Sequence, residues 1–142
     1  MFDCSYDAQV WIRHALKCLP EDIFVSYLDR LAFVCMDTSD ARRLTSSFCE
    51  GRDIIVLSER IIPRGPLCED NLRVRYFWFA VLHEVAHAVS QHLSPNQITD
   101  AENQAQEIEA NKLAFEWFNH YLVKKNLPEF SEEELAQAQI SN

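Results

Sequence analysis

The sequence predicts an α+β domain in which a short antiparallel or mixed sheet packs against several helices. Hydrophobic residues make up 48% of the chain and only two of its 142 residues are glycine, which is typical of a compact, helix-rich protein. Long stretches repeat apolar residues at helical spacing, and shorter stretches between them have the composition of strands. The length suits one hydrophobic core, so we expect a single domain over residues 1–142.

The first two elements are predicted to be helices. Residues 7–19 place apolar side chains on one helical face, namely Ala8, Trp11, Ile12, Ala15, Leu16 and Leu19. Pro20 and the two acidic residues after it are typical of a helix start, and they predict a second helix over residues 23–31. A strand is the alternative for this segment, because it begins with Ile, Phe and Val.

Short strands are predicted in the middle of the chain. Residues 32–36 have the composition of a strand that ends at a polar turn. Residues 44–49 and 53–58 are predicted to form a hairpin whose turn contains Gly51. The expected sheet is therefore small.

A long apolar helix is predicted after this hairpin. Prolines and a glycine in residues 62–66 break regular structure, so we expect the helix to begin near residues 69–71. Residues 94–96, Ser-Pro-Asn, are predicted to end it. One face of this helix combines apolar residues with two histidines: Leu72, Tyr76, Phe79, Ala80, His83 and His87.

Two more helices are predicted from capping patterns. Thr99 and Glu102 have the spacing of a capping box, and they predict a helix that runs to about residue 123. Ser131 and Glu134 have the same spacing and predict a last helix, which is polar and which we expect at the periphery.

Charge and composition exclude several classes of protein. The net charge is −9 and the basic residues do not cluster, so direct binding of nucleic acid is not expected. No apolar run approaches the roughly 20 residues needed to span a bilayer, and the amino terminus lacks a signal pattern. The five cysteines form no C-x-x-C pair, which predicts buried, reduced thiols. We therefore expect a cytoplasmic protein without a membrane segment.

The segment from His83 to His87 has the pattern H-E-x-x-H. On a helix the two histidines lie one turn apart on the same face, so both imidazoles can reach one zinc ion at about 2.0–2.1 Å. Glu84 falls beside the metal, where it can accept a proton from water. The alternative is a coincidental pair of core histidines. The apolar neighbours argue against it, because buried imidazoles need polar partners and a metal supplies one.

A second pattern downstream resembles known metallopeptidases. Glu107 follows His87 with nineteen residues between them, and Asn111 lies one helical turn later. This spacing resembles that of the thermolysin-like gluzincins. Residues 107–114, Glu-Ile-Glu-Ala-Asn-Lys-Leu-Ala, resemble more closely the E-x-x-A-N/D-x-F-A segment of the ImmA/IrrE-type metallopeptidases. The resemblance covers residues 45–120, although Leu113 stands where the family usually has Phe.

The resemblance implies a small zincin-like domain, with the sheet packed on the H-E-x-x-H helix and a following helix that carries a ligand. It implies these roles: His83, His87 and Glu107 as ligands of Zn²⁺, Glu84 as the general base, and Asn111 as a residue that orients a ligand by hydrogen bonding. Manganese and iron remain alternatives, because the same donors suit several metals.

Two other polar residues near these motifs are expected to lie away from the metal. Glu109 is the rival third ligand, but residues 107 and 109 point about 200° apart on a helix, so only one can face the metal. The family spacing favours Glu107. His92 lies five residues after His87, roughly 140° off the metal face of a continuous helix. A surface or capping role is predicted for it.

Two further expectations concern the substrate. The resemblance implies that residues 54–57, in the strand before the metal helix, form a sheet edge that pairs with extended substrate. An ordinary core strand is the equal alternative. A donor for the developing oxyanion is also expected, and Tyr76, His120 and Tyr121 are candidates that the sequence does not separate.

Three functions are compatible with these residues. The first, implied by the resemblance, is a zinc-dependent endopeptidase that cleaves a specific cytoplasmic protein, for example a transcriptional repressor or a phage-related regulator. The second is a zinc-containing regulatory module that binds a protein partner through the same cleft without cutting it. The third is a structural metal site. The presence of Glu84 argues against the third, because a structural site uses four ligands and no base.

Overall fold

The computed structural model describes residues 2–36, 42–45 and 51–141. Within these residues the helices are α1 (Tyr6–Leu16), α2 (Glu21–Tyr27), α3 (Leu72–Val89), α4 (Asp100–Lys124) and α5 (Glu132–Ser141). The strands are β1 (Phe2–Asp3), β2 (Leu31–Met36), β3 (Arg42–Thr45) and β4 (Asp53–Ser58). Single 3₁₀ turns occur at Leu28–Arg30, Glu59–Ile61 and Pro95–Gln97. The architecture is α+β.

The first two helices follow the sequence closely. The whole apolar face predicted for α1 is buried, including Ile12 and Ala15. The prediction of a helix after Pro20 is confirmed, and the alternative of a strand is wrong. This helix is shorter than expected, because α2 ends at Tyr27 and a 3₁₀ turn leads directly into β2.

The four strands form one mixed sheet in the order β1-β2-β4-β3. The pairs β1–β2 and β2–β4 are parallel, whereas β3 and β4 are antiparallel. Phe33 of β2 lies opposite Ile55 of β4, and both side chains are buried in the core. Burial on the inner strands explains their apolar sequences, because parallel strands covered by helices read as continuous hydrophobic runs.

The position of β4 decides one of the open alternatives. This strand lies between β2 and β3, so residues 54–57 are not at an edge, and the predicted substrate-facing edge is wrong. Over residues 53–56 both sides of its backbone are paired within the sheet, which leaves no free ladder there for an extended peptide. The predicted hairpin partner begins earlier than expected, at Arg42, and residues 46–49 lie outside the described residues.

The helix α3 occupies the centre of the protein. It contacts α1, α4, α5 and the strands β3 and β4, and its side chains are buried almost all round. The most deeply buried of its apolar residues are Phe77, Val81, Leu82, Val85 and Ala86. A helix that is apolar on all sides belongs in a core. The H-E-x-x-H segment is therefore held on the most rigidly packed element.

The end of α3 differs from the prediction. The helix stops at Val89 rather than at residues 94–96, because Gln91 adopts a left-handed backbone conformation with φ 55°. The backbone N–H of His92 then donates to the carbonyl of His87 at 3.0 Å, which is a Schellman-type closure. Such a turn usually contains glycine, so the sequence gives little sign of it.

The capping box predicted for α4 is confirmed. The Thr99 side chain accepts from the Glu102 backbone, and the Glu102 side chain returns to the Thr99 backbone. The same type of cap precedes α5, where the Glu134 backbone donates to Ser131. This last helix is more than peripheral, because its residues Leu135 and Ala138 are buried.

The cysteines at positions 4, 18, 35 and 68 form no disulfide bond in the described part of the chain. Only Cys18 is buried, and Cys68 is exposed, so the expectation that all of these thiols are buried is wrong. Cys49 lies outside the described residues. No helix in the described part of the chain has both the length and the apolar composition that crossing a membrane requires.

Candidate metal centre

The two histidines of the H-E-x-x-H motif meet on the face of α3 that points toward α4. They are four residues apart, and their Nε2 atoms lie 3.1 Å from each other. The two rings stand nearly perpendicular, with an interplanar angle of 84°. Phe79, one turn earlier, packs beside the ring of His83 and links it to an aromatic cluster. Regular helix geometry and this packing bring both imidazoles to one point.

Glu107 completes the cluster from α4. Its Oε2 lies 3.0 Å from Nε2 of His83, and its Oε1 lies 3.1 Å from Nε2 of His87. One donor atom from each of these three residues falls within 4.8 Å of the others. The sequence-based choice of Glu107 over Glu109 as the carboxylate nearest both histidines agrees with this arrangement.

The segment between α3 and α4 is held in place by Gln106. Its side-chain oxygen accepts from the Leu93 backbone N–H at 2.9 Å, and its amide donates to the Leu93 carbonyl at 3.0 Å. This double hydrogen bond fixes the segment against the turn of α4 that carries Glu107. The two ligand-bearing helices are therefore fixed relative to each other by more than apolar packing.

The separations within the cluster fit a small metal ion. Two atoms that are each about 2.0–2.1 Å from an ion with tetrahedral geometry lie roughly 3.3 Å apart. The three contacts among His83, His87 and Glu107 are 3.0–3.1 Å. Two imidazole nitrogens and a carboxylate oxygen form a donor set that suits zinc. The residues present therefore fit a zinc ion.

Glu84 lies beside this cluster and is almost completely buried, with 5% of its surface exposed. Its negative charge helps to raise the pKa of His83. The cleft above the cluster has a volume of about 140 Å³. It is lined by both histidines and both glutamates and by residues that the sequence did not indicate, namely His92, Leu93, Ser94, Pro95, Asn103 and Gln106.

The electrostatics of the cluster follow from the shared carboxylate. Hydrogen bonds from His83 and His87 hold the pKa of Glu107 far below its ordinary value. Burial lowers the pKa of His87, and the neighbouring imidazoles of His83 and His92 add to this effect. Burial also opposes charge on His83, but its hydrogen bond to Glu107 and the nearby carboxylate charges raise its pKa overall. Glu107 thus stays ionised, as a metal ligand must.

His92 was expected at the surface or in a cap; the surface position is wrong, whereas its backbone N–H does close the end of α3. The residue is buried, with 7% of its surface exposed, and its Nδ1 lies 2.8 Å from Nδ1 of His87. The reason is the left-handed turn at Gln91, which folds the chain back over the end of α3. The angle of 140° between His92 and the metal face applies only to a helix that continues to residue 92, whereas α3 ends at Val89. On the other side of His92, Nε2 lies 3.2 Å from a carboxylate oxygen of Glu109.

Asn111 lies against His83, and this contact helps to raise the pKa of that histidine. It does not satisfy Nδ1 of His83, however, since this buried nitrogen has no hydrogen-bond partner among the residues that the structure describes. The predicted role of Asn111 as an orienting hydrogen-bond partner therefore stays a prediction.

The three candidate oxyanion donors lie elsewhere. Tyr76, His120 and Tyr121 are absent from the described lining of the cleft. His120 and Tyr121 line a different pocket, next to Cys18 and Pro20. The ring of Tyr121 packs edge-on against Trp78 in the core. Among the described residues, side-chain N–H donors at the cleft come from the histidines, Asn103 and Gln106.

Comparison of the chain with protein-family models, with curated proteins and with solved structures finds no match. The resemblance to the ImmA/IrrE-type metallopeptidases therefore stays a prediction from two short motifs.

Proposed function

We propose that this protein is a zinc-dependent endopeptidase with a zincin-like fold, which acts on a protein substrate in the cytoplasm. The observation that carries this proposal is the position of Glu84, which lines the same cleft as the cluster of His83, His87 and Glu107. A buried carboxylate thus lines the cleft beside three candidate metal ligands. It is the arrangement that hydrolysis by an activated water requires.

The number of ligands supports a catalytic site over a structural one. Three protein ligands leave a fourth position for water or substrate, whereas structural zinc sites are closed by four. The cluster opens on a cleft, and the Glu107 side chain is 46% exposed. Zinc is the metal that this donor set favours, and manganese and iron are the alternatives.

The residues of the cleft divide the work of hydrolysis. A zinc ion here would supply Lewis-acid chemistry, lowering the pKa of a water molecule to about 7 and polarising the scissile carbonyl. Glu84 accepts the proton of that water as it attacks the carbonyl carbon, and it then delivers this proton to the leaving amine. His83, His87 and Glu107 keep their lone pairs directed to one point throughout. His83 and His87 are held by α3, the most buried helix, and Glu107 is held by α4.

The sheet and the cleft both limit how a substrate could bind. With β4 inside the sheet, an extended peptide cannot pair with residues 54–57. Leu93 lines the cleft and is 55% exposed, which provides an apolar contact for a substrate side chain beside the metal position. A specific protein substrate, such as the repressors implied by the family resemblance, fits a cleft of this small size better than general degradation.

One observation favours the alternative, a zinc-containing regulatory module that binds a protein partner without cutting it. Peptide hydrolysis needs a hydrogen-bond donor for the developing oxyanion, and the three candidates lie outside the described lining of the cleft. Asn103 and Gln106 are the amides in the described lining of the cleft, and Gln106 already donates to the Leu93 carbonyl, so Asn103 is our candidate for this role in a peptidase. If no group does so, the same cleft would serve binding alone.

The two functions are separated by the variant Glu84→Gln. We expect it to retain zinc, since Glu84 is not a ligand, and to lose roughly 10²–10⁴-fold in peptide cleavage. Zinc content would be measured by mass spectrometry, and cleavage with a library of quenched fluorescent peptides. The exposed Glu116→Gln on α4 is the matched control. Zinc-loaded wild type that cleaves no peptide, or cleaves as fast as Glu84→Gln, would overturn hydrolysis and leave the binding module.

A further inference from the structure

Two further polar residues, His92 and Glu109, lie next to the cluster of His83, His87 and Glu107, and the proposed reaction does not use them. His92 follows the end of α3 and Glu109 lies on α4, one residue beyond Ile108 and two beyond Glu107. They form a chain of contacts with His87, in which Nδ1 of His87 lies 2.8 Å from Nδ1 of His92. Nε2 of His92 in turn lies 3.2 Å from Oε2 of Glu109.

The proton positions along this chain are determined by chemistry. A neutral imidazole carries one proton, so when Nε2 of His87 gives its lone pair to a metal, Nδ1 must carry the proton. Nδ1 of His92 can then act only as the acceptor, which places the proton of His92 on Nε2. That N–H faces the carboxylate of Glu109, which accepts hydrogen bonds. Each contact thus has a donor facing an acceptor.

The chain is held in place from several sides. His92 is buried and its backbone N–H is bonded to the carbonyl of His87. The next residue, Leu93, is fixed through both backbone groups by the side chain of Gln106 on α4. The imidazole of His92 therefore has little freedom to turn away from its neighbour.

We propose that His92 and Glu109 are positioning residues that hold His87 in the tautomer with the Nε2 lone pair directed at the metal. The inference rests on the metal site of the proposed function but not on peptide cleavage. Hydrogen bonds of this kind behind a metal-bound histidine fix its ring and raise its basicity, and their loss typically costs about 10–100-fold in metal affinity.

The test compares zinc dissociation constants, measured by competition with a chromophoric chelator. His92→Phe keeps a ring of similar volume without an acceptor, and we expect zinc binding about 10–100-fold weaker than wild type. His92→Gln offers a carbonyl oxygen to the His87 proton and should restore most of the affinity. Glu109→Ala should lose less zinc affinity than His92→Phe, because the Glu109 side chain is 59% exposed and water can replace its carboxylate. Glu116→Ala removes a charge elsewhere on α4 and should bind zinc as wild type does.

A spectroscopic readout separates positioning from general damage. In zinc-loaded wild type, the Nδ1–H proton of His87 should give a slowly exchanging ¹⁵N-edited NMR signal, which His92→Phe loses and His92→Gln retains. Equal zinc affinity in wild type and His92→Phe would overturn the role of His92 while leaving the metal site intact. Failure of wild type to bind zinc would overturn both proposals. If His92→Phe does not fold, the comparison of Glu109→Ala with Glu116→Ala is decisive. Equal zinc affinity in these two variants would overturn the positioning role of His92 and Glu109.

Discussion

Glu107 and Glu109 are separated by one residue on α4, but their carboxylates contact different histidines. Glu107 reaches both His83 and His87, whereas Glu109 reaches only His92. The difference arises because successive side chains on a helix are rotated by about 100°. We therefore expect different roles for the two glutamates. Glu107 is a candidate metal ligand, and Glu109 is expected to hold His92, which contacts the candidate ligand His87.

Removal of a ligand gives the first prediction at this scale. We expect about one zinc ion per chain in the wild type and a large loss of zinc in both His87→Ala and Glu107→Ala, because two donors alone hold zinc weakly. Mass spectrometry of the purified proteins measures the content. Glu116→Ala, on the same helix and exposed, should keep the metal. Full zinc content in Glu107→Ala would mean that another group is the third ligand.

A second prediction concerns Tyr121, near the carboxyl-terminal end of α4. Burial raises the pKa of Tyr121 to about 12, and the nearby groups of Cys18 and Glu69 add to the effect. The unfolded chain has a tyrosine pKa of about 10. The folded state thus holds its proton more tightly, so the stabilisation is complete below about pH 10 and is lost as pH rises toward 12. The free energy of unfolding in urea should fall more between pH 8 and 11 in wild type than in Tyr121→Phe.

The control for this comparison is Tyr6→Phe, which removes a tyrosine that is 75% exposed. Its unfolding free energy should follow the pH dependence of the wild type. An identical pH dependence in wild type and Tyr121→Phe would contradict the buried environment assigned to this hydroxyl.

Residues of the candidate site differ in how well the sequence indicates them. His83, Glu84 and His87 lie within one helical turn, where local spacing alone sets the geometry. Glu107 required a resemblance, because the distance between two helices depends on their packing. The position of His92 beside His87 was not predicted. It depends on a left-handed turn at Gln91, where the sequence lacks the glycine that usually indicates such a turn.

At the scale of elements, one buried arginine ties the end of the chain to α3. Arg75 is 3% exposed and donates to the carboxylate of Glu134 on α5 at 3.3 Å. It also donates to backbone carbonyls at Glu69, Pro128 and Glu129. This set of contacts fixes the segment between α4 and α5 over the start of α3.

Loss of this side chain should be costly for stability. We expect Arg75→Met to lower the free energy of unfolding by about 1–3 kcal/mol, because three backbone carbonyls and the partly exposed carboxylate of Glu134 lose a charged donor. Urea denaturation followed by circular dichroism measures the change. Arg73→Met, two residues earlier and exposed, should have an effect within about 0.5 kcal/mol. Similar losses in the two variants would show that the contacts of Arg75 contribute little.

Element boundaries show where local patterns stop being informative. The start of α4 was predictable to the residue, because the cap is made by side chains three positions apart. The strand order was not predictable, since the composition of β4 suits an edge and an inner strand equally. Only the pairing of β4 with β2, across more than fifteen residues of chain, places residues 54–57 inside the sheet.

At the scale of the whole molecule, the cluster of His83, His87 and Glu107 joins the two longest helices that the structure describes. A ligand that binds only the folded state stabilises it, by about 2.7 kcal/mol at a concentration of 100 times the dissociation constant. We therefore expect zinc at that excess to raise the thermal midpoint by roughly 10 °C, and EDTA to reverse the change. Calorimetry with and without zinc checks this. The His87→Ala variant should show no such shift, and a shift of equal size in it would point to a different binding site.

The overall class was more predictable than the arrangement of its parts. Apolar spacing identified α1 and α3, and a capping pattern identified α4, because both signals depend only on residues that are near each other in the sequence. The contacts that assemble the molecule are non-local, such as the aromatic packing of Phe130 against Phe79 and Phe118. No sequence spacing connects such residues. The sequence therefore did not indicate that the segment at Phe130 and the helix α5 after it pack against the core.

The placement of all three candidate ligands on one helical hairpin has a consequence for the order of folding. Once α3 and α4 have formed, only residues 90–99 separate them, whereas β1 must find β2 across about thirty residues, and closing a longer loop costs more entropy. Local contacts of this kind form early, before distant strands pair. A metal ion captured by the forming hairpin would then act on the folding nucleus, where stabilisation speeds folding rather than slowing unfolding.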